Sequence, residues 1–189
     1  TLDEALHQFA RLIDGKKVDP NIRTVVLNLA AKKGDQSTFN DLWALHNAAN
    51  MEEERVRILS ALTHMDVPEL LQDTLDLSLT DEVGIHNTVR VIANIASNLN
   101  GGQLAWEFLK SNWTELDRRY GDGGFALMNL VSIAGRFKSE ESLSDVQMFF
   151  ANNPVPGADR TIDQVLERIK LNISFIYNNR TDLAHFFGD

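Results

Sequence analysis

Residues 105–129 read AWEFLKSNWTELDRRYGDGGFALMN. Trp106 and Trp113 are seven positions apart, which puts both rings on one face of a helix. Phe108, Leu109 and Leu116 fall close to that face. Gly121, Asp122, Gly123 and Gly124 break the helix, and a new apolar run opens at Phe125. Tryptophans at this spacing bury area before they bind anything, so the stripe predicts a core element.

The same three-to-four spacing recurs on both sides. Leu2, Leu6, Phe9, Ala10 and Ile13 predict a first helix that stops at Gly15. Asp19-Pro20 is a start signal, an N-cap acceptor followed by a proline whose missing N–H costs nothing there. Ile22, Val25, Val26 and Leu29 form the stripe of that second helix, which Gly34 closes. Asp35 begins a third, with Phe39, Leu42, Trp43 and Leu45. Asn50 is the expected cap of a fourth, with Glu52, Glu53 and Glu54 in its first turn and Val56, Leu59 and Leu62 as its stripe. Pro68 opens a short helix, and another is expected from about Val83 to Asn98. Beyond the Trp helix, helices are predicted over 125–137, from Ser139 through Phe149, and through Ile162, Val165, Leu166, Ile169, Ile173 and Ile176. A short separate tail helix is expected around Leu183, Phe186 and Phe187. No stretch reads as a strand. About ten helices with short links predict an all-α fold of stacked antiparallel pairs, an armadillo- or HEAT-like α-solenoid formed by residues 1–189 as a single domain.

The chain has 189 residues, a net charge of −9 and no cysteine. The acidic balance argues against nucleic acid as a partner, since phosphate binding needs a basic stripe. The missing cysteines exclude disulfides, thiol catalysis and cysteine zinc sites, and lean towards a reducing, cytoplasmic compartment. No apolar run has the length of a membrane span. Asn112, Asn172 and Asn179 stand in Asn-x-Ser/Thr sequons, about as many as chance provides, and decide nothing. The sequence opens on Thr1 inside an amphipathic pattern, so the expectation is a piece of a longer polypeptide. Exposed apolar surface and self-association at that end are expected to follow.

Catalytic constellations are missing from the sequence. His7, His46, His64, His86 and His185 are scattered, with no His-Glu-x-x-His and no pair four apart. There is no Gly-x-Ser-x-Gly elbow. The glycines at 121–124 follow no strand and lack phosphate-loop spacing, so a helix end and tight turn account for them. Glu52–Glu54, Asp81–Glu82 and Glu140–Glu141 sit at predicted helix starts, where they complement the dipole. Lys16-Lys17, Lys32-Lys33 and Arg118-Arg119 fall near helix ends or in loops. No metal or cofactor is expected in this chain.

The Trp segment resembles the C-terminal helical domain of the aminopeptidase N family of zinc aminopeptidases, where A-W-x-F-L-x-x-N-W-x-x-L precedes a Gly-rich turn and S/G-F-x-x-x-N-L. Asn21-Ile22-Arg23, Gly34-Asp35, Glu53-Glu54-Arg55 to Leu62, Phe137-Lys138-Ser139-Glu140 and Val146 to Phe150 are similar to further family segments. Ile162, Gln164, Glu167, Ile169, Asn172 and Ile173 match its closing helix. The resemblance implies a bowl of stacked helices that closes over a zinc-bearing catalytic domain and contacts peptide substrate. It also implies that this chain is the C-terminal part of a larger helical domain, with the zinc held elsewhere in the polypeptide. Phe125 and Asn129 match the family's F and N and are the implied peptide-facing residues. The family often carries R-x-Q-D where this chain has Gly84-Ile85-His86-Asn87. The Arg is lost and the Asp is Asn, with Arg90 one turn on as partial substitute. His86, Asn87 and Arg90 are therefore the second candidate group.

Two function classes compete on the sequence. One is a peptidase subdomain whose partners are the catalytic domain of its own polypeptide and the peptide substrate. The alternative is a free-standing α-solenoid scaffold for protein–protein interaction. An independent hydrolase has no supporting constellation.

Overall fold

Local capping chemistry sets where the helices begin. The Asp19 carboxylate accepts from the Asn21 N–H at 2.9 Å, and Pro20 takes the first helical position. Asp35 accepts from the Ser37 and Thr38 N–H groups at 3.0 and 3.2 Å, and Ser139 accepts from Ser142 N–H at 3.1 Å. Each satisfies donors that a helix N-terminus otherwise leaves unpaired. The computed structural model describes residues 1–121 and 124–188. Among them there is no strand, and every regular element is helical. The described residues pack as two compact units, Thr1–Ala105 and Trp106–Asp189.

The first unit is built from three helix pairs: α1 (Leu2–Ile13) with α2 (Pro20–Lys33), α3 (Gln36–Ala48) with α4 (Glu52–Leu62), and α5 (Pro68–Leu77) with α6 (Ile85–Ala96). The second helix of each pair also packs on the next, α2 on α4 and α4 on α6. Polar ties show how these three run. At their starts Arg23 pairs with Glu54 at 3.3 Å, and the Asn87 amide donates to Glu52 Oε1 at 2.9 Å. At their ends Lys33 pairs with Asp66 at 3.9 Å, and the Asn98 amide donates to the Thr63 and Met65 carbonyls at 3.0 and 2.9 Å. Starts lie by starts and ends by ends, so α2, α4 and α6 point the same way. That is the arrangement of stacked helical repeats.

Sandwiching changes which residues are buried. The fourth helix hides Ile58, Leu59, Ala61 and Leu62, on more than one side, because it is covered by both α2 and α6. On α2 the buried set is Val26, Leu27, Ala30 and Ala31, while Ile22 and Val25 of the expected stripe are exposed. On α1 only Ala5 and Phe9 are buried, and Leu2, Leu6 and Ile13 remain partly exposed, an apolar surface at the end where it was expected. The fourth helix is capped at Met51 rather than Asn50, with no side-chain hydrogen bond, and its acidic first turn is as expected.

The Trp helix is two helices, not one. The first, α7, spans Gly102–Ser111 and α8 spans Trp113–Tyr120. Asn112 separates them: its amide donates to the Phe108 carbonyl at 2.9 Å, the local competition with the helix ladder typical of Asn. In the second unit Trp106 and Trp113 still share partners. Both meet the Phe149 ring edge-on, at centroid distances of 5.2 and 5.3 Å. Phe149 belongs to α10 (Glu140–Asn152), which follows α9 (Phe125–Ser132) and a 3-10 turn, Ile133–Arg136. Trp106 is 1% exposed, and its Nε1–H donates to Asp145 Oδ2 at 2.6 Å, an oxygen that also accepts from Lys110 Nζ at 2.8 Å. Burial pushes the Asp145 carboxyl up, but the Lys110 and Trp106 hydrogen bonds outweigh it and hold it below its usual range. The expected tail helix is not separate: α11 runs unbroken from Asp159 to Phe187.

Trp106→Ala is expected to cost about 3–5 kcal/mol through lost contacts and the cavity left behind. Trp106→Phe, which keeps a ring but strips Asp145 of one donor, is expected to cost less. Urea unfolding of the three proteins checks both, and an unchanged midpoint for the Ala variant would put the ring at the surface.

Candidate functional site

The second candidate group sits at the start of α6, where Gly84 precedes the helix and the first turn presents His86 and Asn87. The fold brings these two together on one carboxylate. Asn87 is 3% exposed, and its amide holds Glu52 Oε1, the atom that lies 3.5 Å from His86 Nε2. The Asn87 bond holds the Glu52 carboxyl below its ordinary range; burial opposes this, and His86 adds to it. Asn87 Oδ1 is buried without a partner. His86 and Arg90 are exposed, so Asn87 is the member built into the helix stack. A small pocket beside it, with room for about one water, is lined by Asn87, Arg90, Ser60 and Asn94, among others.

The first candidate pair belongs to the second unit. Gly124, at φ 92°, immediately precedes α9 in a backbone region that side chains other than glycine's rarely adopt. Asp122 and Gly123 of the Gly-rich turn lie outside the described residues. Leu127, Leu130 and Val131 form the buried face of α9. Phe125 is 87% exposed and Asn129 is also exposed, four residues on and hence on the same outward face. The Phe125 ring therefore lies outside the buried face that α9 presents to its own unit.

Several other polar groups are engaged within the fold. His46 stacks on Trp43 at 4.6 Å and its Nδ1 meets Asn47 Oδ1 at 3.0 Å. His64 Nδ1 lies 2.8 Å from the Ser60 carbonyl. Arg118 and Arg119 both bond Glu115, and those hydrogen bonds draw its carboxyl down to about 2. Among the described residues no three His, Cys, Asp or Glu side chains could hold a metal ion. No described helix is long and apolar enough to cross a membrane. Sequence reading missed two features. One is the Asp145 carboxylate beneath Trp106, for which the only available signal was that a buried indole N–H needs an acceptor. The other is a groove of about 850 Å³ in the second unit, lined by Arg136, Lys138 and Arg168 among others. Its cations come from segments some 30 residues apart, so no local pattern marks it.

Comparison with known proteins agrees with the motif order. Residues 1–171 match the ERAP1-like C-terminal domain. Aminopeptidase N of Bos taurus is 32% identical over 177 residues, covering 91% of this chain and 18% of that protein. Aminopeptidase N of Mus musculus is 30% identical over 191 aligned positions, covering 98% and 20%. Aminopeptidase M1 of Arabidopsis thaliana is 26% identical over 182 residues, covering 93% and 20%. The chain thus spans about a fifth of the length of these relatives.

The Asn87–Glu52 tie makes a pH prediction. Glu52 has a lowered folded-state pKa, so its contribution is present above the ordinary glutamate range and lost as pH falls through the folded value. Glu52→Ala is expected to cost about 1 kcal/mol at neutral pH, a small figure because the carboxylate is half exposed and screened by water. The gap between wild type and variant should close as pH is lowered through that range. Thermal unfolding across a pH series measures it.

Proposed function

The chain belongs to the ERAP1-like C-terminal domain family, and on that premise we propose that it is the non-catalytic C-terminal domain of a zinc aminopeptidase, closing the substrate chamber and touching the peptide. The observation that carries this reading is the family match over residues 1–171, with relatives that are aminopeptidases along nearly the whole chain. The zinc, which would polarise the scissile carbonyl and activate water, belongs in this reading to the remaining part of the polypeptide. Phe125 and Asn129 would contact peptide beyond the cleaved bond, and His86 and Arg90 would offer donors at a second position. Asn87 would act indirectly, by holding the start of α6 against α4. The partly exposed Leu2, Leu6 and Ile13 would pack against preceding helices of the larger domain or, without them, against a second copy.

Binding energy from parts of a substrate remote from the reacting bond raises turnover only where contact is made. In the complete enzyme, Phe125→Ala with Asn129→Ala is therefore expected to lower kcat/KM for longer peptides by about tenfold, while single-residue amide substrates, too short to reach these residues, are left unchanged. Equal losses on both substrate classes, or none on either, would refute the assignment. The chain alone is expected to carry no stoichiometric zinc by elemental analysis and to release no N-terminal residue from peptides.

A further inference from the structure

We propose that the groove of the second unit is a docking site for an acidic, partly apolar segment of a partner polypeptide. The 3-10 turn Ile133–Arg136 and the residues just after it face α11 across a concavity of about 850 Å³, within the size range of ligand pockets. Arg136, Lys138 and Arg168 line it, and no Asp or Glu does. All three cations are exposed, and none forms an ion pair among the described residues. In a chain of net charge −9 this is a local inversion of sign. Like charges around a concave, partly apolar wall focus a positive potential and attract anions to that place.

The groove is also held in shape. The Asn172 amide donates to the Gly135 carbonyl at 3.1 Å and to the Phe137 carbonyl at 3.0 Å. These bonds clamp the segment bearing Arg136 and Lys138 onto α11, so little ordering is needed on binding. The remaining wall decides the class of ligand. Val165, Phe175 and Ile176 line the same groove, and the Phe175 ring is 59% exposed. Carboxylates spaced among apolar side chains satisfy both parts of that lining. A nucleic acid would meet the repulsion of the chain's net negative charge everywhere else. The inference concerns a surface distinct from Phe125 and Asn129 and does not rest on the peptidase reading.

Fluorescence anisotropy tests it with the 189-residue chain. The probe is a short fluorescein-labelled peptide alternating Glu with Leu and Phe. The expected result is binding that weakens with added salt and that falls about tenfold or more in the combined variant Arg136→Gln, Lys138→Gln, Arg168→Gln. Lys170→Gln, a nearby cation outside the groove lining, should leave it unchanged. Should the combined variant fail to fold by circular dichroism, Lys138→Gln and Arg168→Gln singly are each expected to weaken binding about threefold. Equal affinity for the same peptide with Gln in place of Glu, or wild-type affinity in the folded variants, would overturn the proposal. Tighter binding of a short oligothymidylate than of the acidic peptide would overturn it too, by making the groove a general polyanion site.

Discussion

No helix of the first unit is stable by itself. Its longest, α2, has 14 residues, and isolated helices shorter than about 12–15 residues are marginal in water. Each persists because neighbours cover its apolar face, and α4 is where this matters most, since it is covered from two sides. Its 11 residues hide Ile58, Leu59, Ala61 and Leu62 between α2 and α6. The apolar contacts supply the driving force but do not choose a register. The polar ties do, since Arg23 and Asn87 reach the acidic first turn of α4 while Asn98 caps the carbonyls beyond its last. A slip of one turn would break the ties at both ends.

The second unit solves a different problem. Two indole rings need covering, and one brings an N–H into the interior. Asp145 accepts that N–H, and Lys110 neutralises the carboxylate, so a cluster that would be costly if incomplete is complete. Two other acids are paired twice over: Glu54 meets Arg23 and Arg57, and Glu115 meets Arg118 and Arg119. Arg136, Lys138 and Arg168 at the groove and the exposed Phe125 ring belong to the surface of that unit rather than to its core. They use different chemistry, one charge with an apolar wall and the other an aromatic with an amide.

The helical class and most helix starts were legible in the sequence. Asp19, Pro20, Asp35, Pro68 and Ser139 mark starts by interactions that span no more than a few residues, which is why they can be read without a fold. Phe125 and Asn129 could be placed on one face for the same reason. Their exposure could not, because the apolar pattern of 125–131 does not say which side of α9 finds a neighbour. The identity of Ile58 as core, the outward turn of Ile22 and Val25, and the bond from Asn87 to Glu52 share that cause.

What the sequence by itself determined is therefore what local periodicity and capping govern: an all-helical chain, the bounds of most helices, and the motif order that places it in its family. Tertiary structure alone decided which faces are buried, that Asn87 reaches Glu52, and that Arg136, Lys138 and Arg168 surround one groove. The physical reason is range. A cap or a stripe depends on residues within about four positions, whereas burial and charge environment depend on which distant segments come to pack together.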